Sequence, residues 1–316
     1  MSRHFEIEDD SQIDRLNEEY FRQSPLPYLR QRLDSLVSLA ARLPEHGERL
    51  TAGFNRAGLG ISVPPDHVAS TELAEDELRT FVATESAVVR QHAIESLLIG
   101  LHAERGRSRC PWLACASLTL KSLWQDTERL LTMDPSGRRT TIFQCLAGPI
   151  EGDYSEDEQA RRHSFASALD AWLVHLATEV LDSRDLYNAA KHGLAVRAAN
   201  MDLNVGMTQD QATLNVLSGP TLEHLVHTRH DDLRAWHRRR RWVDVEVMWV
   251  DAMVAATLLQ TTWEVGRRRL LGGQLDGVWL PTEPPDVRRT DGSRPLNTGV
   301  MTLPLGIVQT SRPDGS

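Results

Sequence analysis

A long amphipathic repeat constrains the fold of this chain more than any other feature. In residues 72–105, apolar side chains recur three and four positions apart, which is the spacing of one face of an α-helix. A second long helix is predicted from Asp244, a helix-capping residue type, to Leu271, where two glycines end the pattern. Because each helix must bury its apolar face against another element, the sequence predicts a helical bundle.

Shorter helices are predicted around these two. Prolines divide residues 11–43 into two helices, and Pro111 begins another. Ser155 and Glu158 form a capping-box pattern at the start of a further helix. A helix over residues 183–199 is predicted to follow it.

Residues 201–243 lack the helical period. Their short apolar–polar alternations, with a turn signal at residues 218–220, predict the strands of a small antiparallel β insertion. Residues 272–316 contain six prolines and no helical period, which predicts a flexible C-terminal tail. We therefore expect a mainly α fold in three parts: an N-terminal helical segment with an acidic arm (1–70), a helical bundle that carries the β insertion (71–271), and the tail (272–316).

Charge and hydropathy exclude several classes of protein. The 316 residues include 44 acidic and 35 basic side chains, and the resulting net charge of −9 excludes a uniformly basic nucleic-acid binder. Seven of the acids lie in residues 1–19 beside two arginines, so a local phosphate site elsewhere remains compatible with the net charge. The longest apolar run, residues 245–263, is interrupted by polar side chains and is too short to span a bilayer, so no membrane contact is expected.

The start of the sequence and its cysteines indicate a compartment. No apolar stretch follows a basic one near Met1, as a secretory signal would require. Three cysteines, Cys110, Cys115 and Cys145, form an odd set without zinc-site spacing, and we expect them to be reduced. A cytoplasmic protein is therefore expected.

Residues 184–193 carry the most informative set of side chains. In a helix, Arg184, Asn188 and His192 lie at successive four-residue steps and form one stripe, which Tyr187 and Lys191 flank. Such a face suits an anion such as phosphate, because cations neutralise its charge and a histidine with a pKa near ~6.5 can move protons. The alternative is a buried polar cluster that joins helices through hydrogen bonds.

The segment from Asn188 to His192 resembles the motif of the HEPN (higher eukaryotes and prokaryotes nucleotide-binding) family. Ribonucleases of this helical-bundle family carry an arginine, a polar residue, three further residues and a histidine. The sequence departs from that pattern at Tyr187, which stands in the arginine position, and Arg184 or Lys191 would have to supply the missing charge.

The resemblance implies a function in RNA cleavage or RNA binding. His192 would act on the ribose 2′-hydroxyl, cations on the same face would stabilise the charge at phosphorus, and no metal or other cofactor would take part. Two subunits would bring their motifs together, so a homodimer is expected. A role in stress response or in defence against foreign genetic elements also follows from the resemblance.

A run of four arginines is a second candidate RNA contact. Arg238, Arg239, Arg240 and Arg241 form the densest basic stretch, with a tryptophan on either side. They can form an edge that grips phosphate while Trp236 or Trp242 stacks on a base. The alternative is a solvated hairpin.

One face of the 72–105 helix carries further polar residues. His92, Glu95 and His102 share a side of the helix with Arg90 nearby, but no second set of metal ligands matches them, so no metal site is expected. If the motif helix packs here, Arg90 or Glu95 is expected to touch its polar face.

Three further histidines do not form a metal site either. His224, His227 and His230 are spaced so that neither a helix nor a strand brings all three to one side. The chain also has no phosphate-binding glycine loop and no dinucleotide fingerprint. The alternative to an RNA-cleaving or RNA-binding protein is a non-catalytic helical interaction module, in which the same polar face binds a protein partner or a nucleotide.

Overall fold

A computed structural model describes residues 10–56, 59–147, 155–190, 196–206, 213–230, 233–273 and 299–310. In these ranges the fold is mainly helical with a small antiparallel β insertion, as the sequence predicts, and a second, two-stranded sheet occurs that the sequence does not predict. The helices are α1 (Asp10–Tyr20), α2 (Leu26–Ala40), α3 (Pro44–Ala52), α4 (Glu75–Arg105), α5 (Pro111–Ser117), α6 (Leu120–Thr132), α7 (Pro135–Ala147), α8 (Glu156–Asp182), α9 (Arg184–Ala190) and α10 (Val245–Leu271). The strands are β1 (Phe54–Arg56), β2 (Leu59–Ile61), β3 (Val196–Gly206), β4 (Thr213–His230), β5 (Leu233–Trp242) and β6 (Gly299–Thr310).

The two long helices predicted first, α4 and α10, form the centre of the bundle and pack extensively on each other. Trp249 of α10 is fully buried and donates its indole N–H to the Ser86 hydroxyl of α4 over 3.0 Å. Trp172 of α8 is also fully buried in this core. None of the described helices is both long and apolar enough to cross a membrane.

The predicted helix ends are confirmed where local chemistry determines them. The Asp244 carboxylate accepts a hydrogen bond from the Val247 N–H at the start of α10, over 3.1 Å. The Ser155 hydroxyl accepts one from the Glu158 N–H at the start of α8, over 3.3 Å. Gly272, with φ of +78°, ends α10 in a conformation that residues with a Cβ rarely adopt.

Strands β3, β4 and β5 of the β insertion and strand β6 form a four-stranded antiparallel sheet in the order β3-β4-β5-β6. Its inner face, which packs on α4 and α9, carries the buried side chains of Leu222 and His224. In the register, Leu222 pairs with Arg241 and His224 pairs with Arg239. Glu223 and Leu225 lie on the opposite, outer face because side chains alternate along a strand.

Three local predictions are wrong within the sheet. The helix predicted over residues 183–199 is described only to Ala190, and residues 196–199 instead pair with β4. The turn signal at residues 218–220 lies inside β4, where Gly219 adopts φ of +117° without ending the strand. The predicted tail is also not wholly unstructured, since Gly299–Thr310 pairs with β5 as the sheet edge, the position in which a strand tolerates Pro304.

Candidate functional site

Helix α9 places the described part of the predicted motif, Arg184 to Ala190, between α8, α4 and the sheet. It buries Leu186 and Ala190, which are four residues apart and therefore share a face. Arg184 and Asn188 lie on the exposed face, and Tyr187 is half-buried at its side. The described part of the motif thus presents a guanidinium and an amide to solvent rather than a buried polar cluster.

The other two motif residues, Lys191 and His192, lie outside the described residues. The geometry of the site is therefore known for three of its five predicted members, from Arg184 to Asn188.

Tyr187 links α9 to α4. Burial raises the pKa of the Tyr187 phenol, the nearby Glu95 carboxylate raises it further, and Arg32 of α2 acts in the opposite direction. Glu95 also accepts a hydrogen bond from the Gln91 amide over 3.2 Å. Of the two α4 residues expected beside the motif helix, Glu95 is therefore close enough for its charge to act on Tyr187.

Arg90, the other α4 candidate, belongs to a buried ion network that we define as Arg90, His175, Glu179, Arg241 and Asp251. Arg90 is 5% exposed and donates from Nε to Asp251 Oδ2 over 2.8 Å. Its Nη2 also donates to the Glu179 carboxylate, to which Arg241 Nη2 donates over 3.0 Å. The network therefore joins α4, α8, α10 and β5 through charge-assisted hydrogen bonds.

Opposite charges control protonation in this network. Burial alone would raise the pKa of Glu179, but Arg90 and Arg241 outweigh it and lower that pKa to about 2. Burial opposes protonation of His175, but its 2.9 Å contact with Asp251 outweighs this and raises the His175 pKa. Burial lowers the pKa of Arg241, which Glu179 partly offsets.

The arginine run does not form one basic patch, because β5 turns alternate side chains to opposite faces. On the inner face, Arg239 Nη1 donates to Asp185 Oδ2 over 3.2 Å, and Arg241 contacts Glu179. On the outer face, Arg238 lies 3.5 Å from the Glu223 carboxylate and Arg240 pairs with the same group. Each of the four arginines therefore has a carboxylate partner.

The two tryptophans beside the run differ in accessibility. Trp242 is buried and donates its indole N–H to the Met201 carbonyl over 3.0 Å, so its ring is unavailable to a base. Trp236 is half-buried and its ring centroid lies 5.1 Å from that of His227.

The inner face of the sheet also holds His224, which is 3% exposed. Neither ring nitrogen has a hydrogen-bond partner among the described residues. Burial and the neighbouring Arg239 lower its pKa to about 4. His227 lies on the opposite face of the strand, and no group of three potential metal ligands occurs among the described residues.

The structure joins two stretches that the sequence separates by about fifty residues. Asp185 in the first turn of α9 holds Arg239, and Ser183, the residue before α9, accepts a 2.7 Å hydrogen bond from Arg241. The motif helix is thus attached at its start to the arginine strand.

Sequence reasoning missed three members of the ion network, Asp251, His175 and Glu179. A signal was present, since Asp251 interrupts the apolar run of residues 245–263 and such a charge requires a buried partner. His175 and Glu179 are also four residues apart, on one helical face.

The fold and the site define a mainly helical protein with a four-stranded antiparallel sheet and an ion network at the helix–sheet junction. Comparison of the chain with protein-family models, with curated proteins and with solved structures found no match.

Proposed function

We propose that this protein binds RNA at the exposed face of α9 and cleaves it without a metal ion. The observation that carries the proposal is the position of Arg184 and Asn188, which face solvent on a helix held at its start by Asp185 and Ser183. An exposed guanidinium and amide can donate hydrogen bonds to phosphate oxygens. A buried cluster serving only to join helices would not leave both groups at the surface.

The chemistry proposed for this face is intramolecular transesterification. His192 accepts the proton of a ribose 2′-hydroxyl, the 2′-oxygen attacks the adjacent phosphorus, and the bond from phosphorus to the 5′-oxygen breaks. The leaving 5′-oxygen takes a proton from solvent, so the products are a 2′,3′-cyclic phosphate and a 5′-hydroxyl. Arg184 stabilises the negative charge that develops at phosphorus.

The test is cleavage of structured and single-stranded RNA in EDTA by four identically prepared proteins: wild type, His192→Ala, Arg184→Gln and Arg161→Gln. Arg161 is an exposed α8 arginine outside the site and is the matched control. We expect cleavage by wild type and the control, and a loss of about 10²-fold or more in the other two. If wild type cleaves RNA no faster than His192→Ala does, the proposed nuclease activity is refuted.

The second candidate is a non-catalytic interaction module that binds a protein partner. Two apolar side chains on the outer face of the sheet favour it, because Leu225 of β4 and Leu303 of β6 are exposed on either side of Arg238 in one row. The partner proposed for this outer face is a second copy of the chain, whereas the dimer that the resemblance implies would bring two motif helices together.

Sedimentation of wild type and Leu225→Glu tests that partner, with Leu120→Glu on exposed α6 as the control. We expect wild type and the control to form dimers and Leu225→Glu to be monomeric. A monomeric wild type would contradict self-association through this face.

A further inference from the structure

A groove between α2 and α4 exposes aromatic side chains that the packing of the two helices does not bury. Its volume is about 320 Å³, and its lining combines aliphatic side chains with aromatic and polar ones: Tyr28, Gln31, Arg32, Ser35, Phe81 and Glu85. Two large side chains stand open at it, since Tyr28 is 58% exposed and Phe81 is 39% exposed. The fold therefore leaves an aromatic pair accessible to a ligand.

The polar groups of the groove are balanced in charge. The Arg32 guanidinium lies 5.9 Å from the centre of the Tyr28 ring and donates to Glu85 Oε2 over 3.4 Å. Arg32 Nη1 lies 3.1 Å from His92 Nδ1. Burial and the Arg32 charge lower the His92 pKa, so His92 is neutral at pH 7. Arg32 and Glu85 neutralise each other, so the groove favours a neutral ligand over a free anion.

The size and edges of the groove suit a planar heterocycle. About 320 Å³ lies near the lower end of the range of about 300–1,000 Å³ for small-ligand sites. An α-helix of a partner, at about 10–12 Å in diameter, needs a broader surface. The Ser35 hydroxyl donates to the Gln31 carbonyl over 2.8 Å and accepts from the Gln31 amide over 3.3 Å. The rest of the Gln31 amide group and the Glu85 carboxylate lie in the lining with the aromatic rings and offer the donor and acceptors that the edge of a nucleobase requires.

One residue of the groove also lies near the motif helix. Arg32, which lines the groove, lies close enough to Tyr187 of α9 for its charge to act on the Tyr187 phenol. The groove and α9 therefore have Arg32 as a common electrostatic neighbour.

We propose that the α2–α4 groove binds an unpaired nucleobase, stacked on Tyr28 and contacted by Phe81. That the base belongs to an RNA strand rests on the proposed function, whereas the groove's affinity for the base does not. Base–aromatic stacking tolerates every base because each has a π face, so the site discriminates weakly among sequences.

The test is calorimetric titration of the full-length protein with the four ribonucleosides, which carry no phosphate and so do not need the α9 face. We expect wild type to bind them, and Tyr28→Ala and Phe81→Ala to bind each about 5- to 150-fold more weakly. Tyr28→Phe keeps the ring and is expected to bind as wild type does. Trp112→Ala removes an exposed aromatic outside the groove and is the matched control.

The outcomes separate this inference from the nuclease proposal. Absence of nucleoside binding by wild type up to about 10 mM overturns the groove as a base site, even if RNA is cut. Nucleoside binding that is equal in wild type, Tyr28→Ala and Phe81→Ala overturns it as well. Binding that depends on Tyr28 and Phe81 supports the groove even where RNA is not cut. A protein partner that requires Phe81, with no nucleoside bound, assigns the groove to protein recognition and contradicts the proposal.

Discussion

Glu179→Gln is the sharpest test of the buried ion network. Glu179 accepts hydrogen bonds from two arginines, Arg90 and Arg241, and its side chain is only 22% exposed. Burial alone would disfavour its charge, yet the two guanidinium groups hold its pKa at about 2, below the ordinary 4.5. The charged Glu179 carboxylate therefore stabilises the folded protein much more than the neutral carboxylic acid would.

The pKa gives the size of the effect. A difference of about 2.5 pH units at about 1.36 kcal/mol each corresponds to about 3 kcal/mol of stability at pH 7. Partial exposure reduces this value, so we expect Glu179→Gln to lower the free energy of unfolding by about 2–3 kcal/mol. The glutamine leaves Arg90 and Arg241 buried with less compensating charge.

The pH dependence provides a second measurement. Because its folded pKa is lowered, Glu179 contributes its full stability above pH 4.5, and this is lost as the pH falls toward about 2. The gap between wild type and Glu179→Gln in urea unfolding is therefore expected to narrow by about 2 kcal/mol from pH 7 to pH 3.

The control lies on the same helix. Glu158 pairs with Arg161 and Arg162 at an exposed position of α8, so Glu158→Gln is expected to cost under about 1 kcal/mol. A Glu179→Gln cost no larger than that of Glu158→Gln, or a gap that does not narrow in acid, would refute the reasoning.

Two further substitutions test other buried polar groups. His224 has a pKa of about 4 in the folded protein, so protonation stabilises the unfolded chain as the pH falls below about 6.5. Wild type is therefore expected to lose about 2 kcal/mol of unfolding free energy between pH 7 and pH 5 through His224, and His224→Leu is expected to avoid that loss in urea unfolding. An equal loss of unfolding free energy between pH 7 and pH 5 in wild type and His224→Leu would contradict this prediction. Ser86→Ala leaves the Trp249 indole N–H buried without its acceptor and is expected to cost about 1–3 kcal/mol, measured by urea unfolding against exposed Ser117→Ala; equal stability of the two variants would count against it.

Local patterns were sufficient for the long helices. The spacing of apolar residues in α4 and α10, and the caps at Ser155 and Asp244, depend on neighbours within one or two turns. The sequence therefore predicted both the elements and several of their ends.

The sheet was harder to predict because strand pairing joins distant residues. The sequence of residues 196–199 is compatible with a helix or a strand, and pairing with β4 makes this segment a strand. Residues 218–220 have the composition of a turn, but partners on both sides keep β4 continuous there. Gly299–Thr310 is an edge strand only because β5 offers unpaired backbone groups more than fifty residues earlier.

The candidate site also depends on contacts between residues that are far apart in the sequence. The sequence identified Arg184, Asn188 and the arginine run as separate features, and their connection through Asp185 and Ser183 required the fold. The alternation of β5 then determined which arginines face α9, a matter of register that composition does not reveal.

The ion network explains why that connection is specific. Burying Arg90, Asp251 and Glu179 contributes less net stability than an apolar core of equal volume would, because each charge must first lose its water. The network has definite geometry, however: Arg241 contacts Glu179 only when β5 is in its observed register, and the same Arg241 reaches Ser183 at the start of α9. A one-residue slip of β5 that puts Trp242 in the place of Arg241 would leave Glu179 with Arg90 alone, whereas the opposite slip would put Arg240 there. The buried charges therefore oppose the slip that brings Trp242 inward, and in the observed register Arg241 joins Glu179 to Ser183 at the start of the motif helix.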